Sequence, residues 1–140
     1  MRVLSTWTLA AATAITALAC ETSTIPTTPD GETTGGAWEL TSLDTPSGAV
    51  SVPDPAQYTL ELTDDGNAHI VADCNVCNGS YDLAGVNLTM GLMACTRAAC
   101  APDSLHDDYL EALGSVTMWQ RSGNEMSLTY DNGAARFRMP

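Results

Sequence analysis

From Ala37 onward, apolar and polar positions alternate in short runs. In the run 57–63, Tyr58, Leu60 and Leu62 share one face, and Thr59, Glu61 and Thr63 share the other. Ala68, Ile70 and Ala72 repeat the pattern, as do Tyr81 with Leu83, and Val86, Leu88 and Met90. Further on come Val116 with Met118, then Met126, Leu128 and Tyr130, then Ala135, Phe137 and Met139 inward with Arg136 and Arg138 outward. A period of two describes strands with one buried face. Turn residues separate the runs: Asp65-Gly66, Ser122-Gly123-Asn124 and Asn132-Gly133 tolerate positive φ, and short turns join antiparallel neighbours. In this register Trp119 falls on the face opposite Val116 and Met118, where it would cover the outer side of the sheet or serve as a contact residue.

One segment changes period. Across 103–114, Leu105, Tyr109, Ala112 and Leu113 recur at helical spacing. Ser104 with Asp107 approximates a capping box, Gly114 stands where a C-terminal cap would, and acids fill the first turn. Strands, one helix and three more strands predict an α+β fold: a curved antiparallel sheet or partly closed barrel with one packed helix.

The first 36 residues follow neither pattern. Arg2 opens an apolar, small-residue stretch that ends at Ala19, as in a secretory signal peptide over residues 1–19. No later run is long or apolar enough to cross a bilayer. Ala17-Leu18-Ala19-Cys20 resembles a bacterial lipobox with Leu and Ala in exchanged places, and makes Cys20 the expected lipidation site. A plain A-x-A cleavage that yields a secreted soluble protein is the alternative. Residues 20–36 then form a lipidated Cys and a tether of Thr, Pro, Gly and acids, too poor in apolar residues to fold. The tether reaches at most ~50 Å. The remaining unit, 37–139, is long enough for one domain with its own core.

Composition narrows the partners. Seventeen acids stand against five basic residues, all Arg, for a formal charge of −12. Nothing here neutralises a row of phosphates, so nucleic acid is not an expected partner. Nor is an anionic lipid surface docked through a basic patch. The expected membrane contact is the N-terminal lipid anchor, and a monomer is expected.

The candidate chemistry lies in five cysteines. Assigning Cys20 to lipid leaves an even four: Cys74, Cys77, Cys95 and Cys100. A zinc site of four thiolates fits the C-x2-C half but not the C-x4-C half, and an exported chain sits where cysteines oxidise. Thiol–disulfide exchange through Cys74 and Cys77 would want a helix N-terminus to lower a thiolate pKa, whereas this pair lies between strands. A Cys–His nucleophile has only His69 and His106 to draw on, and His69 alternates toward solvent. Two structural disulfides remain the main reading, with three possible pairings. His106-Asp107-Asp108 reads as a solvated helix face, Asp64-Asp65-Gly66-Asn67 as a hairpin turn and not a calcium loop. No catalytic, cofactor-binding or metal site is expected.

These residues together resemble the META domain of HslJ-like lipoproteins. The resemblance runs through Trp38-Glu39-Leu40, Cys74-Asn75, Gly79-Ser80-Tyr81, Leu88-Thr89-Met90, Thr96-Arg97-Ala98-Ala99-Cys100, Tyr109-Leu110, Ala112-Leu113 and Met126-Ser127-Leu128. It implies a small α+β fold in the bacterial cell envelope and a role in stress tolerance, and it does not imply an enzyme; a non-catalytic role in binding or envelope stress tolerance is the expectation. It also implies a Cys74–Cys100 bridge, because the Cys before Asn and the Cys ending T-x-x-x-C are the recurrent pair in that family; Cys77 is then left for Cys95. The local pairing Cys74–Cys77 with Cys95–Cys100 stays open on spacing. Two further functions remain as alternatives: a small-molecule or lipid carrier using the barrel interior, and a thiol–disulfide oxidoreductase using Cys74 and Cys77.

Overall fold

The computed structural model describes residues 36–140; the expected signal peptide, the lipidation site Cys20 and nearly all of the tether lie outside them. The strands are β1 Trp38–Thr45, β2 Gly48–Ser51, β3 Tyr58–Leu62, β4 Asn67–Ala72, β5 Asn75–Ala84, β6 Asn87–Cys95, β7 Val116–Ser122, β8 Glu125–Tyr130 and β9 Gly133–Arg138. The helix α1, His106–Gly114, separates β6 from β7. All pairings are antiparallel, and β9 returns to pair with β1. Eight strands, β1 and β3–β9, thus form a closed barrel, which removes most sheet edges. β2 lies outside this ring. It takes the last four residues of β1 on the same edge that β3 uses at Trp38 and Glu39, the other edge being held by β9.

The register sorts the connections to two ends. Gly36 and the turns after β3, β5 and β7 share one end. The β1–β2, β4–β5 and β8–β9 turns share the other, together with α1 and the segment that leads to it. Inward residues fill the barrel, as an interior of this strand number allows: Leu40, Leu60, Leu62, Ile70, Leu88, Leu128 and Phe137 are all at most 2% exposed. The helix contributes Tyr109, Ala112 and Leu113 to this core. Tyr109 meets Tyr58 edge-on, with ring centroids 5.9 Å apart, and Phe137 at 6.2 Å. Edge-to-face contact is the favoured geometry for such rings.

The predicted faces hold for Tyr58, Leu60, Leu62, Ala68, Ile70, Ala72, Met126, Leu128, Tyr130, Ala135 and Phe137, all buried. They fail in β7. There the register against β8 shifts between Val116 and Met118, so Met118 turns outward at 38% exposure and Trp119 is buried at 4%. Trp119 is therefore a core residue rather than an outer cover or contact residue. A bulge adds a residue to one strand and reverses the alternation beyond it. The Trp119 indole N–H then finds the carbonyl of Gly85 at 2.9 Å. Val86 sits in the β5–β6 turn and is exposed. The expected capping box does not form: the N-cap is Leu105, without a side-chain cap, and Ser104 Oγ accepts from the His106 N–H at 3.3 Å. Gly114 is the last helical residue, and the C-cap is Ser115, whose hydroxyl donates to the Glu111 carbonyl at 2.9 Å.

Candidate functional site

The four domain cysteines come together at the helix-bearing end. Cys74 is bonded to Cys100, and Cys77 to Cys95, with separations of 26 and 18 residues along the chain. This is the pairing that the resemblance implied. Cys77 and Cys95 are directly opposite on β5 and β6, and Cys77 is fully buried. The Cys74–Cys100 bridge ties the turn before β5 to the segment after β6. That turn passes through Asp73 at φ 56°, a left-handed conformation that Asp tolerates better than most residues. The Asp73 N–H donates to Gln57 O at 2.8 Å, which fixes the turn against the approach to β3.

Between the bridges stands Asn75, 4% exposed. Its amide behaves like a strand residue toward Ala98. Oδ1 accepts from the Ala98 N–H at 2.7 Å, and Nδ2 donates to the Ala98 carbonyl at 3.1 Å. Thr96 Oγ1 donates to the same Oδ1 at 3.1 Å and accepts from the Val76 N–H at 3.0 Å, while the Thr96 N–H donates to Val76 O at 3.0 Å. Segment 96–100 is thereby held to β5 after β6 itself has ended. A buried amide needs such partners, since each one lost leaves a desolvated polar group. The Cys-Asn and Thr-x-x-x-Cys elements of the sequence are thus two halves of one clamp. Period-two analysis did not find the buried role of Asn75, because a polar residue at an inward position reads as a break in a strand.

Cys74 and Cys77 are not bonded to each other, and each is bound elsewhere. Among the described residues no group of three or more His, Cys, Asp or Glu side chains could hold a metal ion. His69 is exposed and pairs its Nδ1 with Asn78 Oδ1 on the neighbouring strand. His106 Nε2 lies 3.1 Å from Asp107, whose carboxylate is exposed. Thr63 and Asn67 bond across Asp65 and Gly66, the latter at φ 81°, in the expected hairpin turn.

A second cluster lies at the same end. The Asp44 carboxylate accepts from the Ala134 N–H at 2.9 Å and from Arg136 Nη1 at 3.1 Å. The Ala134 hydrogen bond foremost, and then Arg136, hold its pKa below the ordinary carboxyl value. The Tyr130 hydroxyl donates to the Asp44 carbonyl at 2.5 Å; burial first, and then the Asp44 charge, push the phenol pKa up. Gly133 is required here, because a Cβ would come 2.5 Å from the Asp44 Cβ. Asp44, Tyr130, Asp108 and Glu111 border a small cleft of about 70 Å³ between α1 and the two turns. Ligand sites for drug-sized molecules run to several hundred Å³, and every hydrogen bond of Asp44 is already internal, so the cluster reads as a brace between β1 and β9.

Two disulfides mark a protein of an oxidising, extracytoplasmic compartment. No helix among the described residues is long and apolar enough to cross a membrane. Solved structures give the same architecture. A protein from Burkholderia xenovorans, solved by NMR, is 29% identical with a TM-score of 0.60, covering 75% of this chain and 81% of that one. A second NMR structure is 19% identical, TM-score 0.56, covering 73% of this chain and 86% of that one. A crystal structure of a DUF4847 family protein from Bacteroides vulgatus is 12% identical, TM-score 0.54, covering 76% of this chain and 94% of that one. The last two speak for the fold alone. Among curated proteins none matches the chain. The META domain family model matches residues 31–139, spanning the clamp, the barrel and the helix, and the chain belongs to the META domain family.

Proposed function

We propose that the protein is a bacterial envelope lipoprotein, held at a membrane by a lipid on Cys20, whose META domain serves binding or envelope stress tolerance without catalysing a reaction. Cysteine parity carries the reading. Cys74, Cys77, Cys95 and Cys100 satisfy one another, which leaves Cys20 as the odd one of the five cysteines. Such a residue directly after an apolar leader is the position a lipid takes in bacterial lipoproteins. A single Cys bearing several acyl chains anchors stably. Two locked bridges and a braced barrel suit a domain that presents a fixed surface. The carrier alternative is opposed by an interior filled with Leu, Ile, Met, Trp and Phe side chains. The oxidoreductase alternative is opposed by the burial of Cys77 and by the separate partners of Cys74 and Cys77.

The test is metabolic labelling with an alkyne fatty acid in a bacterial host. The full chain takes the label and partitions with membranes, and Cys20→Ser loses both. An unlabelled wild-type chain in the soluble fraction would instead make the protein a secreted one.

A further inference from the structure

The two bridges are not equally open to an external thiol. Cys77 is fully buried among apolar core side chains, while its partner Cys95 is exposed. Cys74 is exposed, and its partner Cys100 is half-buried. A disulfide opens when a thiolate attacks one sulfur and the other leaves as a thiolate. Attack on the exposed Cys95 expels Cys77 into the core, where apolar surroundings disfavour the anion. Attack on the exposed Cys74 expels Cys100 beside a hydrogen-bond donor. The Asn75 amide carries two N–H groups. One donates to the Ala98 carbonyl at 3.1 Å. The other is left for the bridge, with Cys100 Sγ at 3.4 Å from the nitrogen and Cys74 Sγ at 3.6 Å. A hydrogen bond to the departing thiolate favours the charged form and speeds its departure.

We propose that Cys74–Cys100 is a redox-sensitive latch, opened at Cys74 by an external dithiol while Cys77–Cys95 stays closed. The first thiolate of the dithiol bonds to Cys74 Sγ as the bridge breaks, and Cys100 leaves with the electron pair. The second thiolate attacks the reagent's own sulfur in that mixed disulfide and frees Cys74. The dithiol is oxidised to a disulfide, the bridge is reduced, and the protons shed by the dithiol end on Cys74 and Cys100.

The latch holds the stretch that leads from β6 to α1. Ala98 is fixed by the Asn75 amide, and the Leu105 N–H donates to the Tyr58 hydroxyl at 3.0 Å. Among the described residues no hydrogen bond runs from 99–103 to the barrel; Ala101 O accepts from the Ser104 N–H at 3.0 Å, within the stretch itself. Opening the bridge therefore frees 99–103 between two anchors and leaves an accessible thiol at Cys74. The barrel and the second bridge stay in place. The oxidised form is the fixed surface proposed above, and neither form depends on a lipid at Cys20.

Timed reduction of the folded full chain with dithiothreitol, quenched with iodoacetamide and read peptide by peptide, tests the latch. Cys74 and Cys100 should be alkylated first, at least about tenfold faster than Cys77 and Cys95. Hydrogen exchange of that intermediate should quicken across 99–105 and stay unchanged in β3 and β4. Alkylation of Cys77 and Cys95 first, or of all four together as when reduction waits on unfolding, would overturn the proposal. So would exchange across 99–105 that does not change when the bridge opens.

Discussion

Asn75 shows how much one amide does in this protein. It sits where the strand pattern calls for an apolar side chain, yet it is 4% exposed and bonded to Ala98 in both directions and to Thr96. Its neighbours Cys74 and Cys77 supply covalent ties, but the amide decides the path of 96–98 between them. Asn75→Ala removes one partner from three groups and leaves the Ala98 N–H and C=O with no protein partner. The expected loss is about 2–4 kcal/mol, read as a lowered urea midpoint with both disulfides intact. A variant as stable as wild type would mean that water replaces the amide. At this scale the cysteine pairing was anticipated by resemblance alone, since spacing left three pairings open. Asn75 was quoted with it, but its clamp was not visible, because the bonds join residues more than twenty apart in the chain.

At the scale of elements, β7 is where alternation misleads. The strand reads Val116, Met118 inward and Trp119 outward, and the bulge after Val116 reverses the second part. The change suits the larger side chain: the Trp119 ring enters the core and its N–H reaches Gly85 O. Trp119→Ala should cost about 3–5 kcal/mol, as for a large core residue emptied to a cavity. Met118→Ala should change stability by no more than about 0.5 kcal/mol, as at an exposed site. Chemical denaturation of the two variants side by side separates the registers: the unshifted alternation gives the opposite ranking. The helix was more legible. Tyr109, Ala112 and Leu113 form its buried face as their spacing required. Its caps were not, since Ser104 bonds one residue short of the capping position. β2 was missed because four residues of Gly, Ala, Val and Ser carry no alternation to detect.

At the scale of the molecule, the two bridges close loops at one end, and the chain enters at the other. Each cross-link of this span should contribute ~3 kcal/mol by limiting the unfolded chain. Cys74→Ala with Cys100→Ala, and Cys77→Ala with Cys95→Ala, should each lower the melting temperature of the oxidised protein by roughly 10 °C or more, given about 4–8 °C per kcal/mol at the small-domain end of the range. Adding dithiothreitol to wild type should approach the sum. Melting curves insensitive to reductant would show that the barrel core alone sets the stability. Gly36, where the described residues begin, lies at the hairpin end, opposite the clamp, α1 and the Asp44 brace.

The sequence by itself determined the inward faces of most strands, the helix face, the acidic character and the four-cysteine set. These follow from local periods and composition, which each segment carries without its neighbours. The tertiary structure alone decided closure, which needs β9 to find β1 across nearly the whole domain. It also decided the burial of Trp119, which a partner strand imposes by shifting register, and the bonds of Asn75.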